Sequence, residues 1–161
     1  MKKILLILIA VITLLSVTAC NKDDNSNEDY NMDYALDAHQ YTLFLNRHID
    51  VVIEQQTSSM LILQRISADK SQNDSLIDAL EASVGTIESA IHQVETMHPP
   101  KQYKENCENV LNIMDHTLSI LSDCIEEAKK EVVDLDVFAS YELELQNDFI
   151  ALTAEHNVYY K

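Results

Sequence analysis

Residues 74–97 read DSLIDALEASVGTIESAIHQVETM, and the spacing of their apolar members decides the fold. Ile77, Leu80, Val84, Ile87, Ile91 and Val94 recur in steps of three and four. At 3.6 residues per turn, such positions form one stripe, and alternating steps of this kind make the seam of a packed bundle. The stretch predicts a helix buried along one face. His98-Pro99-Pro100 ends it, because proline lacks a backbone N–H and restricts the residue before it. Gly85 lies beside the stripe, where glycine costs about 1 kcal/mol against alanine in a helix. Its expected role is to let another helix approach closely.

The same period appears on either side. Upstream, 33–67 carries Ala38, Tyr41, Leu45, Ile49, Val52, Ile62 or Leu63, and Ile66, interrupted by the polar run EQQTSS at 54–59. The expectation there is a kink or an exposed end, and the alternative is a polar pocket inside the bundle. Residues 68–75 (ADKSQNDS) read as a loop with Asx and Ser capping chemistry. Downstream, 101–130 carries Tyr103, Cys107, Val110 or Leu111, Met114, Leu118, Leu121, Cys124 or Ile125, and Ala128. Lys129 and Lys130 suit that helix's negative end. A turn at 133–136 offers Asp134 or Asp136 as the next cap. A last helix to about His156 is striped by Phe138, Tyr141, Leu145, Phe149 and Leu152, and the tail 157–161 is expected to fray. Four amphipathic helices on short connections predict an all-α, antiparallel up-down-up-down four-helix bundle over 33–161. No stretch reads as a strand.

Composition narrows the function. The chain has one glycine and two prolines. Phosphate-cradling loops, nucleophile elbows and tight hairpins need backbone conformations that glycine supplies, so nucleotide-binding α/β folds and α/β-hydrolases are excluded. A net charge of −16 argues against nucleic acid, whose phosphates call for lysine and arginine clusters, and against lying flat on an anionic bilayer. It favours a basic protein partner, and it also keeps a surface domain soluble. Cys107 and Cys124 lie on one predicted helix, about 25 Å apart at 1.5 Å per residue, far beyond disulfide reach. The expectation is two buried thiols; a break in that helix would allow a disulfide.

The first twenty residues have a different character. Lys2 and Lys3 precede an apolar run from Ile4 to Leu15, then small residues lead to Val17-Thr18-Ala19-Cys20. This is the three-part pattern of a signal peptide, too short for a membrane span. The cysteine directly after Val-Thr-Ala resembles the lipobox of bacterial lipoproteins. That resemblance implies cleavage after residue 19 and a diacylglycerol on the thiol of Cys20, giving stable membrane attachment through two acyl chains. Residues 1–19 are then the signal peptide and 20–32 the lipidated cysteine with its tether. Removing nineteen residues from 161 leaves 142, and removing two lysines with no acid takes −16 to −18. The stretch 21–31 (NKDDNSNEDYN) is polar and acidic, the composition of a disordered tether spanning on the order of 18 Å. Its opening Asn-Lys-Asp-Asp is similar to the export signals with which some Gram-negative lipoproteins reach the outer face of the outer membrane. In a single-membrane bacterium the same signal leaves the protein on the outer face of the plasma membrane.

Candidate chemistry is sparse. Glu-x-x-His, needed twice in ferritin-like di-iron bundles, occurs once, as Glu95–His98. Glu88 and His92 stand four apart and could share a metal, although a solvated surface pair is the commoner outcome. Met32 near the start of the bundle and His156 near its end resemble the haem ligands of b-type four-helix cytochromes, which implies haem between them. Met97-His98 and Met114-x-His116 offer soft and borderline donors for copper, though Met114 sits on the core stripe. Ser67-Ala68-Asp69-Lys70 matches the Ser-x-x-Lys of penicillin-binding enzymes without its companion Lys-Thr-Gly. DKSQND at 69–74 lacks the glycine and terminal glutamate of a calcium loop. No catalytic constellation emerges. The reading is a membrane-anchored, non-enzymatic binding or interaction module without a resident cofactor. Met32, His92, His98 and His156 are its candidate ligand-binding residues. A haem- or metal-binding redox or storage bundle is the first alternative, and an inhibitor of a basic hydrolase the second.

Overall fold

Residues 37–68 and 73–156 are described by the computed structural model. The expectations placed on the signal peptide, Cys20, Met32, the tether, loop residues 69–72 and the tail lie outside them. The described residues form α1 (Ala38–Ala68), α2 (Asn73–Glu95), a 3-10 turn (Lys101–Tyr103), α3 (Lys104–Ala128) and α4 (Leu135–His156), with no strand among them. Each helix packs on the next, α4 closes back on α1, and α1 meets α3 across the centre. This is a four-helix bundle.

Local chemistry fixes the helix ends. Asp37 Oδ1 accepts from the Gln40 backbone N–H at 2.8 Å, while Gln40 Oε1 accepts from the Asp37 N–H at 3.3 Å. This reciprocal capping box satisfies two otherwise orphaned donors. It starts α1 at Ala38, later than the expected start near Asp33. After α2, Pro100 turns the chain into the 3-10 segment, and Tyr103 stacks on Tyr41 with ring centroids 5.4 Å apart. α3 ends at Ala128, two residues before the expected Lys130. Asp134 caps α4 through Oδ1, accepting from the Asp136 N–H at 3.0 Å and the Val137 N–H at 3.4 Å. Between α3 and α4, Glu127 is held by Lys130 and accepts from the Asp134 N–H at 3.1 Å.

The core follows most of the stripes read from sequence, but Ala38, Val84, Leu118, Tyr141 and Phe149 are only half-buried. Tyr41, Leu45, Ile49, Val52, Leu63 and Ile66 of α1 are fully buried. Leu80, Ile87 and Val94 of α2, Val110, Met114 and Leu121 of α3, and Leu145 and Leu152 of α4 join them. Cys107 and Cys124 are buried free thiols on the unbroken α3. Burial raises the Cys124 thiol to about 12, with Asp123 and Glu144 adding to the shift, so it stays protonated and unreactive.

Two expectations are corrected. α1 does not end at 54–59; it runs as one unbroken 31-residue helix. Gln56 and Ser59 within that run are 0% exposed, so the polar residues enter the core. Gly85 does not bring another helix close. It is exposed, and a Cβ built there would meet nothing within 4 Å.

Candidate functional site

Two features remain once the apolar core is accounted for: a polar track through the bundle and a groove on its surface. The track begins at Gln56 on α1, whose Nε2 donates to Thr117 Oγ1 of α3 at 2.8 Å. Thr117 donates to Asp148 Oδ2 of α4 at 2.9 Å. His116 Nδ1 reaches the same carboxylate at 2.9 and 3.0 Å. Asp148 is only 7% exposed, so a carboxylate stands where the α4 stripe calls for a hydrophobe. Buried polar groups are tolerated when bonded, and here every link has a donor and an acceptor. Gln56 Oε1 and Ser59 Oγ are the buried atoms beside the track that have no protein partner.

The groove, about 660 Å3, opens between α1 and α2. α1 lines it with Phe44, Arg47, His48 and Val51; α2 faces them with small side chains, chiefly Ala82, Gly85 and Ser89. The opening follows from that size mismatch, since small residues on α2 cannot fill the space that long residues hold open. The Phe44 and His48 rings touch at 4.4 Å between centroids. Burial lowers the His48 pKa, and the neighbouring Arg47 guanidinium lowers it further. His48 is therefore neutral at physiological pH and offers one donor and one acceptor.

Of the ligand candidates named from sequence, His92, His98 and His156 are among the described residues. His92 and His98 are exposed, on α2 and just beyond it. His156 lies against Asp50 of α1, Nε2 to Oδ1 3.1 Å. Met32, the partner expected for it, lies outside the described residues. Met97 and Met114 are buried in the core. Among the described residues, no three His, Cys, Asp or Glu side chains gather as a metal site, and no helix is long and apolar enough to cross a membrane.

Comparison with protein-family models, curated proteins and solved structures finds no match. The site must be read from its own chemistry. The groove supplies apolar walls, a guanidinium, a neutral imidazole and the hydroxyls of Thr86 and Ser89, a set suited to holding a ligand. Sequence reasoning missed the groove, because it lies on the side of α2 away from the stripe that defines the helix. The signal that could have found it is the run of small residues at 82, 85, 86, 89 and 90, spaced to share one face.

Proposed function

We propose that this chain is a lipid-anchored protein of the bacterial cell envelope, held at Cys20, whose helical domain is a non-enzymatic binding module with the α1–α2 groove as its receiving surface. The observation that carries the reading is Gly85. Glycine weakens a helix interior by about 1 kcal/mol, and here nothing stands within 4 Å of its missing Cβ. The space above it serves no packing within the domain, so it is available to a ligand. The charge indicates the ligand's character. Exposed Glu54 on α1, with Asp78 and Glu88 on α2, belongs to a chain of net charge −16. They favour a basic polypeptide segment, whose backbone carbonyls Arg47 can receive. A small-residue floor suits the close approach of such a segment.

The anchor and the groove are tested separately. Cys20→Ala should move the protein from the membrane to the soluble fraction and abolish incorporation of labelled fatty acid; continued membrane association would refute the anchor. For the groove, the soluble domain expressed from Asn21 is titrated with a basic amphipathic helical peptide and followed by amide NMR. Shifts should concentrate at residues 44–51 and 82–93, weaken as ionic strength rises, and vanish in Ser89→Trp. Shifts spread over the whole surface, or unaffected by Ser89→Trp, would refute the groove as the receiving surface.

A further inference from the structure

His116 projects from α3 onto α4, where its two ring nitrogens meet different carboxylates. Nδ1 lies 2.9 and 3.0 Å from the oxygens of Asp148. An ionised carboxylate only accepts, so Nδ1 carries a hydrogen, and Nε2 is the ring atom left to serve as a ligand. Nε2 faces Oε2 of Glu144 at 3.9 Å. That gap is too long for a direct hydrogen bond. A metal ion between them would be reached by both.

We propose that His116 Nε2 and Glu144 Oε2 form a binding site for a divalent transition-metal ion of the zinc type, with Asp148 as the carboxylate that orients the imidazole. Zinc takes nitrogen at about 2.0–2.1 Å and carboxylate oxygen at about 2.0–2.2 Å, so two ligands at the tetrahedral angle stand roughly 3.4 Å apart. Closing 3.9 Å to that separation needs a small movement of two side chains that are 54% and 43% exposed. Metal-binding histidines characteristically donate their other ring N–H to a carboxylate, which fixes the tautomer and strengthens the ligand. The nearly buried Asp148 supplies that carboxylate; Thr117 donates to it at 2.9 Å and is itself held by Gln56 at 2.8 Å. The track through the core therefore aims one surface imidazole. One imidazole with one carboxylate suits zinc or copper(II) better than magnesium or calcium, which prefer all-oxygen shells. With two protein ligands the ion keeps open positions for water or for a group from another molecule.

The test is isothermal titration calorimetry of the soluble domain with zinc chloride in a non-coordinating buffer at neutral pH. The wild-type domain should bind zinc at a site that His116→Ala abolishes and Glu144→Gln weakens at least tenfold. Asp148→Asn should weaken it by about 10–100-fold, the range for a lost orienting carboxylate. His92→Ala, His98→Ala and His156→Ala should leave the site intact, and acidification should weaken it as protons compete for the imidazole. His116 and Glu144 are exposed side chains, so their variants decide the question even where Asp148→Asn fails to fold; unchanged circular dichroism confirms that they remain helical. Absence of binding by the wild-type domain, or binding unchanged in His116→Ala, overturns the proposal.

Discussion

At the scale of single residues, Gly85 and Thr117 make opposite predictions. Gly85 is exposed within α2, and a methyl group there would enter open space. Gly85→Ala should therefore stabilise the domain by about 1 kcal/mol through helix propensity and reduced unfolded-state freedom, seen as a rise of a few degrees in a thermal melt. An unchanged or lower midpoint would mean that the glycine serves a packing role after all. Thr117 is fully buried and its hydroxyl serves two partners, accepting from Gln56 and donating to Asp148. Thr117→Val keeps the shape but strands both, and a buried group left unsatisfied costs about 1–3 kcal/mol. Adding Gln56→Leu removes one of the stranded groups, so the double variant should recover part of the loss. A double variant whose losses simply add would show that the bond between them carries no energy. Sequence misread this region for a definite reason. Gln56 and Ser59 interrupt an apolar stripe, and an interruption looks the same whether the helix bends away or polar groups enter the core. Thr117 and Asp148 are not among the apolar residues of the stripes, and only the register of α1, α3 and α4 sets them beside Gln56.

At the scale of elements, the helices follow their sequence period and the turns follow local chemistry. Tyr41 to Ile66 on α1 and Ile77 to Val94 on α2 fell on the buried side because a 3.6-residue period leaves them only one face to share. Asp134 could be named as a cap for α4 because an aspartate two residues before a helical N–H has few better partners. The role of Glu127 was not legible, since its partners lie in a turn whose path depends on how α4 docks. Its carboxylate receives Lys130 and the Asp134 N–H, and those bonds, the Lys130 one foremost, hold its pKa below the usual carboxylate range. A lowered folded-state pKa gives stability that is present at neutral pH and disappears as pH falls through that value. Glu127→Gln should therefore lower the melting temperature at pH 7, and the gap to wild type should narrow in acid. A gap constant with pH would show that the turn depends on the shape of the side chain and not on its charge.

At the scale of the whole molecule, charge governs both stability and association. The chain carries 27 acidic against 11 basic side chains. The described ion pairs that could offset this are few, and Lys104–Glu108 at 3.8 Å and Lys129–Glu81 at 2.8 Å are exposed pairs, which contribute little. Self-repulsion therefore dominates the electrostatics of the folded state. At 0.1 M ionic strength the screening length is about 10 Å, comparable to the spacing between neighbouring helices, so added salt should quiet repulsion across the bundle. The melting temperature at neutral pH should rise with sodium chloride, by a few degrees from low to moderate ionic strength. Over the same range the affinity for a basic peptide in the α1–α2 groove should fall, because there the charges attract. The opposite signs make one salt titration informative about both. Stability falling with salt would mean that the few ion pairs outweigh the repulsion. Peptide affinity indifferent to salt would mean that the acids on α1 and α2 play no part in recognition, leaving the small-residue floor and Arg47 to account for it.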